Sequence, residues 1–180
     1  RQLVPYSIHT HVKEGAIEDG KVRYRLPGDG DLDWTAYFRG MARAGWTVVA
    51  SARRPDLLRA LAEEADGGRI LPLPIDVTDR ASLDAGLAEI ERSLGPPALV
   101  VAAAGIYEPM NADGFSAAQF RATIELNLMG TVNLLEAVMP GMIRRRGGRI
   151  AVVASVAGYR GLPTAASYGA SKAALINMCE

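Results

Sequence analysis

Three residues near the end of the chain have the chemistry to move a proton to or from a carbonyl or an alcohol. Ser155 follows an apolar run, residues 150–154, and Tyr168 and Lys172 stand four residues apart at the start of a helical pattern. Residues at that spacing project from one face of a helix. Free tyrosine has a pKa of about 10, and we expect the Lys172 ammonium to lower the pKa of Tyr168 by favouring the phenolate. The Ser155 hydroxyl can donate a hydrogen bond to a substrate oxygen on which charge develops.

Apolar strand candidates alternate with helical patterns after residue 45, and this alternation predicts a doubly wound α/β fold with a parallel sheet and right-handed crossovers. The run 98–104 is continuously apolar, which predicts a strand buried on both faces. Ser116 and Gln119 form a capping box at the start of a long helix. The predicted strands are 46–52, 70–75, 98–104 and 150–154, and the predicted helices are 55–65, 79–93, 116–139 and 167–180.

The arrangement of Ser155, Tyr168 and Lys172 resembles the active site of the short-chain dehydrogenase/reductase family. A tyrosine and a lysine at this spacing are often just an exposed helix pair, but here Ser155 stands thirteen residues before Tyr168, at the end of an apolar run. In that family the serine orients the carbonyl, the tyrosine is the acid/base, and the lysine lowers the pKa of the tyrosine and holds the nicotinamide ribose. The resemblance implies hydride transfer between NADP(H) and an alcohol or carbonyl substrate.

Asn127 lies in the middle of the long helix, where asparagine is unfavourable because its side chain competes for backbone hydrogen bonds. A tolerated surface residue is one interpretation. The family has an Asn-x-x-Gly motif at this point, matched by Asn127 and Gly130. There the asparagine kinks the helix and holds a water that relays protons to the lysine, so the resemblance adds Asn127 to the predicted catalytic residues.

Two arginines match the position at which the family reads the adenosine ribose of its cofactor. Arg53, helped by Arg54, can make bidentate contact with a phosphate. An acidic residue just before it would accept from a ribose 2′-hydroxyl, but that residue is Ala52. The resemblance therefore favours NADP, with NAD as the alternative; two arginines on a solvated loop are the interpretation without a cofactor.

Other predicted cofactor contacts follow two of the strands. Asp76 with Val77 matches the adenine-contacting aspartate of the family. Ala103, Ala104 and Gly105 stand where the family usually has Asn-Asn-Ala-Gly; the glycine allows close approach of the cofactor, but alanines replace both asparagines. Tyr168 and Lys172 complete the predicted contacts.

Residues 1–45 are similar to the next-to-last strand–helix unit of TIM-barrel sugar phosphate isomerases/epimerases. His11 matches a histidine that binds the catalytic metal in those enzymes. A catalytic metal needs three or more ligands, and the others of that family are missing, so we predict no metal site. The unit contains a predicted strand at 4–12, a short ribbon at 21–25 and a helix at 34–44 that ends at Gly45.

The glycine-rich loop of the short-chain family, Thr-Gly-x-x-x-Gly-x-Gly, is absent from the sequence, and the chain stops inside the helix of Tyr168. We expect one incomplete Rossmann-like domain over residues 1–180, in which a foreign unit, 1–45, joins a short-chain dehydrogenase/reductase-like core, 46–180. The strand at 4–12 would fill the slot of the missing first strand and give the order 3-2-1-4-5. Cofactor binding is expected to be weak, because N–H contacts to the pyrophosphate are lost. A catalytically inactive scaffold and, less well supported, a remnant of a sugar phosphate isomerase are the alternatives.

The amino-acid composition limits the classes of partner that the chain can be expected to bind. Twenty basic and twenty acidic residues give no net attraction to nucleic acid or an anionic membrane. Cys179 is the only cysteine, which fits a reducing compartment, and we expect a cytoplasmic protein with no membrane-spanning stretch and no signal peptide. In the short-chain family the two helices that carry the Asn and the Tyr–Lys pair often pack in a dimer. We expect a homodimer here, through outward faces that include Ala137, Met142 and Ala174.

Overall fold

The computed structural model describes residues 15–18, 21–24, 40–41, 44–64 and 70–180. The described residues up to Asp76 belong to one compact unit, and those from Val77 to Glu180 form a second. The predicted strand at 4–12, with His11, lies outside the described residues, as does the predicted helix at 34–44 apart from three of its residues. The strand order 3-2-1-4-5 therefore stays a prediction.

The described residues of the first unit include two small sheets and the helix that follows the second of them in the chain. Strands β1 (Gly15–Glu18) and β2 (Lys21–Tyr24) pair antiparallel, where the sequence predicted a short ribbon. Strands β3 (Val48–Ala50) and β4 (Ile70–Pro72) pair in parallel, and helix α1 (Pro55–Glu64) follows β3 in the chain.

A small apolar core holds β3, β4 and α1 together. Its buried members come from all three elements, since Leu58 of α1 packs with apolar residues of both strands. Gly45 adopts a φ of +93°, a conformation that suits glycine, and lies in a turn that precedes β3. The buried core residues are Val48, Ala50, Leu58 and Ile70, with Met41, Trp46 and Leu61 packed around them.

The second unit carries the predicted catalytic residues. Strands β5 (Leu99–Ala102) and β6 (Arg149–Val152) pair in parallel, so their carboxyl ends lie at the same edge. A π-helical turn, Glu125–Met129, joins α3 to α4 in one continuous helical segment. The helices of this unit are α2 (Arg80–Leu94), α3 (Ala117–Ile124), α4 (Gly130–Arg144) and α5 (Ala166–Cys179).

The caps of α2 and α3 show how the sequence sets helix starts. Asp79 accepts a hydrogen bond from Ala81 N at 2.9 Å, and Ser116 accepts one from Gln119 N at 3.3 Å. The other half of the predicted capping box, a bond from the Gln119 side chain back to the backbone of Ser116, is wrong. The Gln119 side chain instead donates to the backbone oxygens of residues 108 and 109, and so ties the segment after β5 to α3.

Three sequence predictions about the second unit are wrong. The long helix does not end near residue 139 but continues through Pro140 to Arg144, because one proline removes one helical hydrogen bond without ending the helix. That continuation turns Met142 inward, where it is buried, so it is not part of an outward face. Strand β5 is not buried on both faces, since Val101 keeps 46% of its surface exposed.

The continuous helical segment Ala117–Arg144 also changes the prediction about membrane spans. It is 28 residues long and its most apolar 18-residue window has a mean hydropathy of 1.2, so by length and composition alone it could cross a membrane. The core helix of a soluble protein meets the same condition. Its polar residues Thr123, Asn127 and Thr131 are buried within the second unit, as in a helix that packs against protein.

Candidate active site

Ser155 lies just beyond the carboxyl end of β6. Its hydroxyl accepts a hydrogen bond from Ala157 N at 3.2 Å and so starts a 3₁₀ turn, Val156–Gly158. The serine is thereby held at the edge of the sheet, where the chain leaves the strand.

Two glycines let this turn lie directly on α5. A Cβ at Gly158 would come within 2.7 Å of the Lys172 backbone and the Ile176 side chain. A Cβ at Gly169 would lie 3.0 Å from Ala157 O. Because neither position has room for a side chain, the turn that carries Ser155 and the first turns of α5 sit in close contact.

Tyr168 and Lys172 project from the same face of α5, as their spacing predicts. The Lys172 ammonium lies 5.6 Å from the centroid of the Tyr168 ring. It donates a hydrogen bond to Val153 O at 2.7 Å, and the residue is only 3% exposed. The lysine therefore connects α5 to the chain that leaves β6, two residues before Ser155.

The pKa of Tyr168 is raised, chiefly by burial. The hydrogen bond with Ser155 works in the opposite direction, and Tyr107 adds a smaller raising effect. The prediction of a pKa below the ordinary tyrosine value is therefore wrong for the protein alone, because burial is the largest effect on the phenol. The Lys172 ammonium donates its hydrogen bond to Val153 O. Burial in turn lowers the pKa of Lys172 to about 8, so the ammonium keeps most of its charge at neutral pH.

Asn127 is fully buried in the π-helical turn. Its Oδ1 accepts from Ile106 N at 2.8 Å, and its Nδ2 donates to Ile106 O at 2.9 Å and to Ser171 Oγ at 3.1 Å. A π-helical turn within an α-helix often marks a functional position and bends the helix. The side chain fixes the segment after β5 against α5, and its role as a water relay stays a prediction.

Two further glycines explain motifs of the sequence. A Cβ at Gly105 would lie 3.3 Å from Asn127 Oδ1 and 3.8 Å from Lys172 Nζ, so Gly105 lies against the predicted catalytic residues. A Cβ at Gly130 would lie 2.6 Å from the Val77 side chain. The Asn-x-x-Gly motif thus combines a polar anchor with a close contact to Val77.

The remaining predicted cofactor residues divide between the two units. Arg53 and Arg54 are exposed in the first unit, between β3 and α1, and Asp76 ends the described part of that unit. Ala103 and Ala104 are exposed in the second unit, where β5 ends. The structure brings together Asn127, Ser155, Tyr168, Lys172 and Gly105 within the second unit.

Sequence reasoning missed two side chains of this site. Ser171 is fully buried and donates to Tyr168 O at 2.7 Å while it accepts from Asn127. Its place between Tyr168 and Lys172 on α5 was a signal that could have found it. The Tyr107 ring meets the Tyr168 ring edge-on, with centroids 5.3 Å apart, and the sequence offers no signal for that contact beyond its nearness to Gly105.

Within the part of the chain that the structure describes, no group of three or more His, Cys, Asp or Glu side chains could hold a metal ion. His11 lies outside that part.

The family model for short chain dehydrogenases matches residues 35–180. An uncharacterized oxidoreductase of Myxococcus xanthus is 37% identical over 142 residues, which are 78% of this chain and 56% of that protein. The 3-oxoacyl-(acyl-carrier-protein) reductase FabG of Thermotoga maritima is 34% identical over 141 residues, 77% of this chain and 57% of that protein. The chain thus spans a little over half the length of these relatives. The resemblance of residues 1–45 to sugar phosphate isomerases stays a prediction.

A solved structure shows the same fold. The crystal structure of a gluconate 5-dehydrogenase from Burkholderia cenocepacia, in complex with NADP and tartrate, has a TM-score of 0.68 and 31% sequence identity. The match covers 78% of this chain and 56% of that one. The described α/β elements therefore correspond to an incomplete Rossmann-like fold.

Proposed function

This chain belongs to the short-chain dehydrogenase family, and from that premise we propose that it transfers hydride between NADP(H) and an alcohol or carbonyl substrate. The observation that carries the proposal is the cluster of Ser155, Tyr168 and Lys172 at the carboxyl edge of β6, with Asn127 bonded beside it. A phenol, a hydroxyl and a buried ammonium in this arrangement suit proton transfer to an oxygen that gains charge.

The described residues offer a fit for a dinucleotide. Lys172 makes one hydrogen bond within the described part of the chain, to Val153 O, although a buried ammonium has three N–H groups. The remaining donors suit the ribose hydroxyls of a nicotinamide nucleotide. Gly105 has no side chain, so its backbone lies close to Lys172; a Cβ there would be 3.8 Å from Lys172 Nζ.

In carbonyl reduction a nicotinamide nucleotide, when bound, would supply the hydride, and the protein would supply the proton. Tyr168 donates its phenolic proton to the developing alkoxide, while the Ser155 hydroxyl donates a hydrogen bond to the same oxygen. Burial raises the pKa of Tyr168, which keeps the phenol protonated at neutral pH and so favours its role as an acid. The Lys172 ammonium then stabilises the phenolate that remains.

Asn127 and Ser171 hold these groups in place. Asn127 fixes Ile106 beside the site, and Ser171 links Asn127 to the backbone of Tyr168. Because both polar groups of the Asn127 side chain are occupied by protein, we assign it first to positioning and second to the proton relay that the resemblance implies.

Preference for NADP over NAD rests on Arg53 and Arg54. Both are exposed next to the start of α1, and a guanidinium suits a 2′-phosphate. The glycine-rich loop motif is absent from the sequence, so we propose weak binding overall. The same absence favours the second candidate function, a catalytically inactive scaffold.

Fluorescence titration with NADPH and NADH tests cofactor binding. We expect NADPH to bind more tightly than NADH, with a dissociation constant above the micromolar range. A charge-assisted hydrogen bond is worth about 1.5–3 kcal/mol, so Arg53→Ala should weaken NADPH binding by about tenfold or more and leave NADH unchanged. Micromolar affinity for NADPH would contradict the weak binding. Equal affinity for the two nucleotides would contradict the role of Arg53.

We also propose that the protein is a cytoplasmic homodimer that pairs through α4 and α5. Three apolar side chains are exposed on these helices: Met139 and Ile143 of α4 and Met178 of α5. We assign them to the dimer interface in place of the buried Met142. Ala137 and Ala174 are only partly buried, as an interface of this kind requires. Light scattering at tens of micromolar should give the mass of a dimer, and Ile143→Glu should give a monomer. A wild-type protein that is monomeric at that concentration refutes the dimer.

A further inference from the structure

Two hydrogen bonds clamp Thr164 to the segment that follows β5. The Tyr107 hydroxyl and Thr164 Oγ1 are 2.8 Å apart and share a hydrogen bond. Met110 N donates to Thr164 O, also at 2.8 Å. The two segments are 57 residues apart in the sequence, so the contact exists only in the folded protein.

Thr164 has a φ of +62°, a conformation that β-branched residues rarely adopt. Such a conformation persists only where the surroundings hold it. Both the side chain and the carbonyl of Thr164 are held, and α5 begins two residues later, at Ala166. The clamp therefore fixes the point at which the chain turns into the helix that carries Tyr168.

The segment that provides the clamp is itself anchored. Asn127 bonds to both backbone groups of Ile106, immediately before Tyr107. Gln119 donates to the backbone oxygens of Glu108 and Pro109 at 3.3 Å each, immediately after it. The backbone is therefore held by hydrogen bonds on both sides of Tyr107.

The ring of Tyr107 also touches the acid/base. The ring centroids of Tyr107 and Tyr168 are 5.3 Å apart at an interplanar angle of 70°, an edge-to-face geometry that aromatic pairs prefer. One side chain therefore holds the start of α5 with its hydroxyl and the Tyr168 ring with its own ring.

We propose that Tyr107 is a positioning residue for Tyr168, acting through the clamp on Thr164 and through the ring contact. The proposal rests on the proposed role of Tyr168 as the acid/base. Its geometry keeps the phenol of Tyr168 partly buried beside Ser155, which accords with the raised pKa of Tyr168.

The test measures the ionisation of Tyr168 and needs neither substrate nor cofactor, so its outcome is independent of whether the proposed function holds. Tyrosinate absorbance is followed against pH in each protein and in the same protein with Tyr168→Phe, and the difference isolates Tyr168. Tyr107→Phe keeps the ring and removes the hydrogen bond, and Thr164→Val removes the same bond from the other side. Thr164→Ser keeps the hydroxyl and serves as the matched control.

We expect the midpoint of Tyr168 to fall toward the ordinary tyrosine value in Tyr107→Phe and Thr164→Val, because a loosened α5 start admits water. The double variant should shift no further than either single one, since both remove one hydrogen bond. Thr164→Ser should keep the wild-type midpoint. Unchanged midpoints in Tyr107→Phe and Thr164→Val would overturn the proposal, even if both variants melt at a lower temperature.

If the protein reduces a carbonyl substrate, its steady-state kinetics provide a second measurement. A misplacement of about 1 Å can cost on the order of a hundredfold in rate. We therefore expect Tyr107→Phe to lower kcat by tenfold or more with little change in the KM for NADPH. A raised KM for NADPH with unchanged kcat would place Tyr107 in cofactor binding and overturn the positioning role.

Discussion

The buried ammonium of Lys172 makes a quantitative prediction about stability. Burial lowers its pKa from 10.5 to about 8. Below pH 8 the lysine is protonated in both the folded and the unfolded chain, so it adds no pH dependence there. Between about 8 and 10.5 the unfolded chain still holds the proton that the folded chain has released, so the free energy of unfolding rises with pH.

The size of the rise in the free energy of unfolding follows from the shift in the pKa of Lys172. One pKa unit corresponds to 1.36 kcal/mol, so Lys172 contributes about 3 kcal/mol of added stability between neutral pH and pH 10.5. Burial raises the pKa values of Tyr168 and Cys179, and these groups act in the opposite direction at alkaline pH. A comparison with Lys172→Met cancels them, because both groups are present in both proteins.

The assay is urea unfolding of the wild type and Lys172→Met at fixed pH values from 7 to 10.5. We expect the difference in unfolding free energy to move in favour of the wild type as the pH rises, by about 3 kcal/mol over that range. Two curves that stay parallel across the range would refute the reasoning, because Lys172 would then have the same pKa in the folded and unfolded states.

Two substitutions test the packing that supports the site, both read by urea unfolding. Gly130→Ala places a Cβ 2.6 Å from the Val77 side chain and should cost about 1–3 kcal/mol, whereas Gly141→Ala in the same helix meets no atom closer than 3.5 Å and should be neutral or stabilising. Equal effects of the two alanines would exclude the contact with Val77 as the cause. Asn127→Ala leaves both backbone groups of Ile106 without their partner and should cost at least about 2 kcal/mol, more than Asn133→Ala, which removes one bond to Val77 O. A smaller loss for Asn127→Ala than for Asn133→Ala would show that water replaces its bonds.

Local sequence signals predicted most of the second unit. Apolar runs located β5 and β6, and caps such as Asp79 located the helix starts, because both depend on neighbours in the sequence. The approach of Ser155 to Tyr168 was also predictable, since a strand end, a short loop and a helix start lie within fourteen residues of chain.

Contacts between segments that are distant in the sequence were not predicted. The bond from Lys172 to Val153 O fixes the direction of the ammonium, but nothing in the local sequence requires it. The clamp between Tyr107 and Thr164 likewise joins residues far apart in the sequence. The inward turn of Met142 depended on whether the helix would continue past Pro140, which tertiary packing decides.

The proposed activity depends most directly on the role of Tyr168. The decisive measurement is the consumption of NADPH, followed at 340 nm with a set of small ketones and aldehydes, by the wild type and by Tyr168→Phe at equal concentration. General acids contribute about 10²–10⁴-fold, so a carbonyl that the wild type reduces should be reduced at least a hundredfold more slowly by Tyr168→Phe, which keeps the ring and loses the proton donor. Equal rates for the two proteins would contradict the assignment of Tyr168 as the acid.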